Sequence, residues 1–205
     1  MNLKTIINKY FLKPKIKING TGNNIDINKN TYLRKVRINI YGNNNTVIIS
    51  DGVYLHNTKI DIGFSNCPIN DCKVFIGQKT SANGLYICLG ESNSEVLIGD
   101  GCMISFDVEL STTDTHSITD LEGNLLNRGH FIHIGSRVWI CKNTTFLKDT
   151  EVKDDCVIAQ NSIVTKCFDT TNCVIAGNPA KVVKEGIKWS ETRPERYGID
   201  EISDN

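Results

Sequence analysis

The chain has 205 residues, 40% hydrophobic and 22% charged, and its 23 Lys and Arg balance 23 Asp and Glu. This composition predicts a single soluble unit, and a formal net charge of zero argues against a nucleic-acid partner, which normally needs a basic surface. We expect a cytoplasmic protein without a membrane span, because Asn8, Lys9 and Lys13 interrupt the apolar residues at the N-terminus.

In the first half of the chain, a pair of isoleucines recurs every 22 residues. The first two copies precede glycine and asparagine-rich corners, residue types that tolerate the left-handed backbone of tight turns. This period predicts β-helix coils with a corner loop of about four extra residues, so residues 1–95 should form irregular N-terminal rungs. A separate, right-handed or irregular β-domain is the alternative, because residues 77–95 keep the register poorly. The pairs are Ile16 and Ile18, Ile38 and Ile40, and Ile60 and Ile62.

Between residues 132 and 164, an apolar residue returns at every sixth position, a period that fits neither a helix nor a simple strand. A second register, two residues earlier, is mostly small. The pattern predicts a parallel β-helix with regular rungs over residues 96–183. A short helical cap and tail should follow over residues 184–205, with Trp189 as an anchor. The registers are Ile134, Ile140, Phe146, Val152, Ile158 and Val164, and Ile132, Val138, Thr144, Thr150, Cys156 and Ser162.

The repeat is interrupted between Leu110 and Ile134, which are 24 residues apart where six would continue the coil. A loop over about residues 112–131 must therefore leave the β-helix, and loops on rigid scaffolds commonly carry function. It contains His116, whose imidazole is suited to remove a proton from a hydroxyl group near neutral pH. Asp114 and Asp120 are both suited to orient that ring, and the sequence leaves the choice open.

Metal binding and disulfide formation are not expected. The eight cysteines include no C-x-x-C pair, and without a secretory signal they should remain free thiols. His130 and His133 are three residues apart and should point to opposite sides of a rung. No third histidine recurs at a matching rung position.

Several motifs carry a family resemblance over roughly residues 96–185. They are the aliphatic-glycine pairs Ile76-Gly77, Ile98-Gly99 and Ile134-Gly135, the repeats of residues 132–166, and the segments STTDTHSITD and VIAGNPAKVVK. These motifs resemble those of the hexapeptide-repeat acetyltransferases. The resemblance implies an all-β, left-handed parallel β-helix with an excursion loop and a short C-terminal helical cap. It also implies a homotrimer with active sites between subunits.

The resemblance assigns roles to individual residues. The histidine of D-x-H-S-I is the family's catalytic base, which implies this role for His116 with Asp114 as its acidic partner. Trp139 lies between inward-facing neighbours and should project outward as a wall of the site. Its backbone N–H is expected to be available to a developing oxyanion.

Acetyl-CoA is the co-substrate that the resemblance implies, bound along a groove between coils without a metal. Lysines in this region would meet its phosphates as point charges. Cys141 and Gln160 stand where relatives usually have glycine, a departure that affects the shape of this groove. The matching positions are Ala159, Lys166, Asn178, Pro179, Ala180, Lys181 and Lys184.

The sequence therefore predicts an O-acetyltransferase that acts by direct attack of a sugar hydroxyl on acetyl-CoA, without a cysteine nucleophile. Resemblance to capsule and surface-glycan enzymes favours a carbohydrate acceptor, with sialic acid included. One alternative is another acceptor, such as serine, an amino sugar or a xenobiotic alcohol. The other is a non-catalytic β-helix that binds a ligand or serves as a scaffold.

Overall fold

The structure is a computed structural model, and it describes residues 13–196. Within this range the ordered elements are almost all β-strands, and none is a candidate membrane-spanning helix. In chain order the elements are β1 Lys15–Asn19, β2 Asn24–Ile27, β3 Tyr32–Arg34, β4 Arg37–Tyr41, β5 Thr46–Ile49, β6 Tyr54–His56, β7 Lys59–Ile62, β8 Lys73–Ile76, β9 Ser81–Ala82, β10 Leu85–Leu89, β11 Glu95–Ile98, β12 Met103–Ile104, β13 Val108–Ser111, β14 Phe131–Ile134, β15 Trp139–Ile140, β16 Thr145–Phe146, β17 Thr150–Val152, β18 Val157–Ile158, β19 Ile163–Val164, β20 Cys173–Gly177, β21 Ala180–Glu185 and a 3₁₀ turn Pro194–Arg196.

Successive strands fall in turn on three sheets. Sheet A joins β1, β4, β7, β10, β13, β16 and β19, and sheet B joins β2, β5, β8, β11, β14 and β17. Sheet C joins β3, β6, β9, β12, β15, β18, β20 and β21. Neighbouring strands are parallel apart from β20 and β21. The predicted three-sided parallel β-helix is therefore confirmed.

Strand register explains both repeat lengths. In the first half, Ile16 pairs with Ile38 and Ile38 pairs with Ile60, which reproduces the 22-residue period. In the second half, Phe146 pairs with Val164, one 18-residue coil later. The strands of residues 15–95 thus occupy the same three sheets as the later strands.

The small register inside the β-helix is polar at several positions, and each hydroxyl has a hydrogen bond. Thr144, Thr150 and Ser162 have no exposed surface. Each donates its hydroxyl proton to the backbone carbonyl three residues earlier, at 2.7 to 2.8 Å. Burying a hydroxyl group is costly only where it lacks a hydrogen-bond partner. These small residues can therefore occupy the narrow corners of the core, beside large side chains such as Phe146.

The corners account for the asparagine, aspartate and glycine pattern. Asn57, Asp107, Asn143 and Asn161 form one column of positive φ between sheets C and A, at 52° to 61°. Asparagine and aspartate tolerate this left-handed conformation better than most residues. The aliphatic-glycine motif has another cause, because a Cβ on Gly99 would lie only 2.6 Å from a backbone carbon of Gly135 in the next coil.

Two loops leave the coils. Residues 112–130, called the excursion below, connect β13 to β14, as predicted. A smaller insertion follows β7, where Phe64 and Cys67 exchange backbone hydrogen bonds at 3.0 Å. It lengthens that coil, so that Val47 pairs with Val74 where a 22-residue period would place residue 69.

The C-terminal cap differs from the predicted helix. After β20 the chain reverses through a cis Asn178–Pro179 bond, and β21 returns antiparallel to β20. This strand pairs with the edge of sheet C, where a helix would leave the backbone groups of β20 unpaired. The 3₁₀ turn is the one helical element of residues 13–196. The rest of the predicted tail, and residues 1–12, lie outside the described range.

Candidate active site

His116 lies beside an open cleft of about 340 Å³ at the corner between sheets A and B. Three successive coils form this cleft. The insertion after β7 contributes residues 67–69, the turn after β10 contributes residues 90–92, and the excursion contributes His116 and its neighbours. The sequence pattern identified the excursion but not the contribution of the earlier coils.

Asn127 fastens the excursion around His116. Its Nδ2 donates to Asp114 Oδ2 at 2.9 Å and to the backbone oxygen of His116 at 2.8 Å. Its Oδ1 accepts a hydrogen bond from the backbone N–H of Ile118 at 2.8 Å. One half-buried amide therefore holds residues on both sides of the histidine, a role that sequence reasoning missed.

Asp114 contacts the histidine through the backbone, because the N–H of His116 donates to the carbonyl oxygen of Asp114 at 2.8 Å. Its carboxylate instead accepts hydrogen bonds from Lys148 and Asn127. Lys148 is the main reason that the pKa of Asp114 is lowered. In a single chain, Asp114 thus supports the backbone of the excursion and links it to the coil below.

Asp120 is further from the histidine and closes the outer turn of the excursion. Its carboxylate accepts hydrogen bonds from the backbone N–H and Nδ2 of Asn124, at 2.7 and 2.8 Å. These bonds lower the pKa of Asp120. Within residues 13–196, neither carboxylate bonds the His116 ring, and Asp114 contacts His116 only through its backbone carbonyl.

The imidazole of His116 is exposed, and no side chain among residues 13–196 makes a hydrogen bond or ion pair with it. A histidine with a free ring nitrogen at the edge of a cleft is suited to accept a proton from a ligand hydroxyl group. The geometry thus leaves the predicted base accessible, with its backbone fixed by Asn127.

Trp139 lies on β15 in sheet C, on a different side of the β-helix from His116. It is half-buried, and its ring centroid lies 6.1 Å from that of Trp189. Trp189 in turn donates its Nε1 proton to the backbone oxygen of Arg137 at 2.7 Å. The C-terminal segment is thus attached to sheet C through Trp189, and a single chain does not bring Trp139 and His116 together.

The expectation that the Trp139 backbone N–H is free was wrong. This N–H donates to the carbonyl oxygen of Cys156 at 2.9 Å. The reason is general to the fold, because each outward-facing residue of a parallel coil still contributes its N–H to the ladder between coils. Any role of Trp139 must therefore come from its indole ring.

The predicted acetyl-CoA positions fall into two groups. In the first group, Ala159 lies close to the hairpin that contains Asn178. The two are linked by the hydroxyl of Ser162, which donates to the Ala159 carbonyl at 2.7 Å and accepts from the Gly177 N–H at 3.1 Å. Lys166 lies beyond the other end of β19, with its Nζ 5.3 Å from the ring centre of Phe168. Pro179 and Ala180 complete the hairpin, and Lys181 and Lys184 are exposed on β21.

Five of the eight cysteines are buried, whereas Cys67, which lines the cleft, and Cys167 are exposed. Cys102 is 1% exposed, and burial raises the pKa of its thiol to about 11. Burial also raises the pKa of the Cys141 thiol. A protonated thiol is a weak nucleophile, so Cys102 and Cys141 are poorly suited to covalent catalysis.

The remaining histidines of the second half have separate partners. His133 Nε2 lies 2.8 Å from Glu95 Oε1 on the neighbouring strand of sheet B. His130 Nδ1 lies 3.4 Å from Asp149 Oδ1. Each ring therefore faces a carboxylate of its own.

Two known proteins similar to this chain are polysialic acid O-acetyltransferases. A polysialic acid O-acetyltransferase of Escherichia coli O1:K1 is 35% identical over 122 residues, which cover 58% of this chain and 39% of that protein. One from Neisseria meningitidis is 34% identical over 121 residues, with coverages of 58% and 56%. The chain thus spans about half the length, or less, of these relatives. No family model matches the sequence.

A solved structure extends the likeness over most of the chain. The polysialic-acid-specific acetyltransferase NeuO superposes with a TM-score of 0.71 at 30% identity, and the match covers 88% of this chain and 90% of NeuO. The likeness includes the irregular N-terminal coils as well as the regular repeats. The chain belongs to the hexapeptide-repeat acetyltransferases, and its fold is their left-handed parallel β-helix.

Proposed function

We propose that this protein transfers an acetyl group from acetyl-CoA to a hydroxyl of a bacterial capsular or other surface polysaccharide, with a sialic acid polymer as the acceptor. The observation that carries the proposal is the exposed imidazole of His116, held beside the cleft by Asn127. Similarity to polysialic acid O-acetyltransferases supports the choice of acceptor. The reaction belongs in the cytoplasm, where acetyl-CoA is available.

In this proposal His116 acts as general base. A sugar hydroxyl is a poor nucleophile, so removal of its proton as it attacks the thioester carbonyl accelerates the reaction by about 10² to 10⁴. Asn127 and Asp114 keep the backbone of His116 in place. The thiolate of coenzyme A leaves as the acetyl ester forms, and the proton on His116 is available to it.

The hairpin beside Ala159 fits acetyl-CoA in its chemistry. Acetyl-CoA supplies the activated acetyl group when it is bound. The exposed ammonium groups of Lys181 and Lys184 have no hydrogen bond or ion pair among residues 13–196, so they are available to phosphates. Cys141 and Gln160 stand where the family resemblance implies glycine, so their side chains occupy space beside the coils that glycine would leave open.

The complete site lies between two copies of the chain in a homotrimer. Within one chain, His116 and Trp139 lie on different sides of the β-helix. The excursion also exposes large apolar side chains on its outer surface. Ile118 is 56% exposed, Leu126 is 63% exposed, and Leu121 is fully exposed at 102%. Contact with a neighbouring copy would cover such a surface and place a tryptophan opposite the histidine.

An acceptor comparison tests the function. The purified protein is incubated with acetyl-CoA and one acceptor at a time: a sialic acid polymer, a neutral glucose polymer, a galactoside or serine. Mass spectrometry then measures acetyl groups on each product. We expect acetylation of the sialic acid polymer above all others. Acetylation of serine or the galactoside alone would replace the proposed acceptor, and no transfer to any sugar would contradict the proposal.

A further inference from the structure

The zero net charge conceals a strong asymmetry along the chain. Residues 1–60 contain ten Lys and Arg but only two Asp and Glu, whereas residues 61–205 contain 13 and 21. The first segment therefore carries a formal charge of +8 and the second a charge of −8. This uneven distribution of charge predicts a basic surface on the N-terminal coils, although the total charge of the chain is zero.

The fold arranges part of this charge in a row. Lys15, Arg37 and Lys59 are the first residues of β1, β4 and β7, and the sheet register places them directly beside one another. Neighbouring strands lie about 4.8 Å apart, so three cationic side chains leave sheet A within about 10 Å. Lys13 and Lys35 lie at the corner just before this row.

These five side chains line one groove of about 730 Å³, called the basic groove below. The other described residues that line it are Val36, Asn57 and Thr58, so none carries a negative charge. Lys59 forms an ion pair with Asp61, outside the groove. The side chains of Lys13, Lys15, Lys35 and Arg37 make no hydrogen bond or ion pair within residues 13–196.

A concentration of unpaired like charges is unfavourable on its own, and an anionic ligand relieves the repulsion. The groove also lacks an aromatic side chain among its described residues, whereas single-stranded nucleic acids usually stack their bases on such residues. The chemistry therefore favours a flexible polymer that carries negative charges on a neutral, hydroxyl-rich backbone.

The groove and the cleft lie at opposite ends of one short strand. Lys59 begins β7 and lines the groove, and Cys67 to Ile69, just after β7, line the cleft beside His116. A four-residue strand is about 13 Å long, so an extended sugar chain of a few units reaches both. Binding at the groove would raise the effective concentration of the next sugars at the cleft.

We propose that the basic groove is a second binding surface for the acceptor, which holds a carboxylate-bearing sugar polymer while another part of the polymer reacts at His116. The choice of ligand rests on the function proposed above. The groove makes the enzyme prefer acidic chains long enough to span both sites over oligomers of one or two units, which reach the cleft without contacting Arg37 and Lys15.

The test compares two double variants of equal charge change. Lys15→Glu with Arg37→Glu reverses two charges in the groove, and Lys73→Glu with Lys188→Glu reverses two exposed charges elsewhere. Binding of a fluorescent sialic acid polymer is measured by polarisation without acetyl-CoA, followed by KM and kcat for the polymer and for a short sialic acid oligomer. Melting temperatures verify that both variants fold.

We expect the groove variant to bind the polymer at least about tenfold more weakly, because two attractions become repulsions. Its KM for the polymer should rise in proportion, and its kinetics with the short oligomer should stay within about twofold of the wild type. The control variant should retain polymer binding. Raising the salt concentration should weaken wild-type binding more than binding by the groove variant.

Unchanged polymer binding in the groove variant, or equal weakening in the control, would overturn the proposal. Tighter binding of a DNA duplex than of the sialic acid polymer would assign the groove to a different ligand. If the wild type binds the polymer through the groove but transfers no acetyl group, the proposed function fails and the groove stands. If acetyl transfer proceeds and KM for the polymer is unaffected in the groove variant, the groove is not an acceptor-binding surface, and the proposed acetyltransferase function is still supported.

Discussion

Replacing Asn127 by alanine tests whether the fixed excursion, rather than the histidine alone, makes the site competent. The substitution removes three hydrogen bonds, to Asp114, to the His116 carbonyl and from the Ile118 N–H. A typical bond contributes about 0.5 to 1.5 kcal/mol net, and partial exposure favours the lower end, so the local loss is about 2 kcal/mol. That energy corresponds to at most about a 30-fold fall in the population with His116 in place.

The assay is kcat/KM for acetyl transfer, measured together with the melting temperature. We expect kcat/KM to fall by about 3- to 30-fold. The melting temperature should change little, because Asn127 contacts the excursion and not the β-helix core. Asn127→Asp keeps the acceptor for Ile118 but places a second carboxylate beside Asp114, so it should be at least as impaired.

Asn124→Ala is the matched control, because Asn124 lies in the same excursion but bonds only the outer turn at Asp120. Its kcat/KM should remain within about twofold of the wild type. Full activity of Asn127→Ala would refute the positioning role. An equal loss of kcat/KM in Asn124→Ala would show that the excursion responds to any substitution, and the loss could not then be assigned to the three hydrogen bonds of Asn127.

Two other substitutions test the core and the proposed assembly. Phe146→Ala removes a large side chain with no exposed surface, so the free energy of unfolding in urea should fall by about 3 to 5 kcal/mol. A fall of less than about 1 kcal/mol would mean that the neighbouring side chains repack and fill the cavity. Trp139→Ala should lower both turnover and the trimer fraction in sedimentation, and retention of both would remove Trp139 from the site and the interface.

The regular half of the fold could be predicted because each coil position has one environment. A period of six places Phe146 and Val164 at equivalent positions, and the register confirms it. The break between Leu110 and Ile134 likewise required a loop of about the observed length. A regular period indicates which side chains face the core of the β-helix. The pattern is clearest in coils that contain no inserted residues.

Other features depend on contacts that periodicity does not record. Asn127 fastens the excursion through bonds to residues 9 to 13 positions away. Such bonds follow from the loop's path, and the sequence shows only one polar residue among many. The start of the predicted helical cap, at residues 184 and 185, instead forms the end of antiparallel β21, because pairing with the sheet edge outweighs helix propensity.

The basic groove had a signal in the sequence that the total charge obscured. Lys15, Arg37 and Lys59 recur at the same 22-residue interval as the isoleucines, so the repeat itself aligns them. A repeat that stacks apolar residues inside the coil must also stack the residues beside them outside. Reading the outward positions of the repeat as well as the inward ones would have located this surface.

Whether His116 is the base of the acetyl transfer is decided by one paired experiment. Acetyl transfer to a sialic acid polymer is measured for the wild type and for His116→Ala, together with acetyl-CoA binding by calorimetry. We predict that His116→Ala binds acetyl-CoA like the wild type and that its turnover falls by about 10² or more. Equal turnover in the two proteins would show that His116 is not the base.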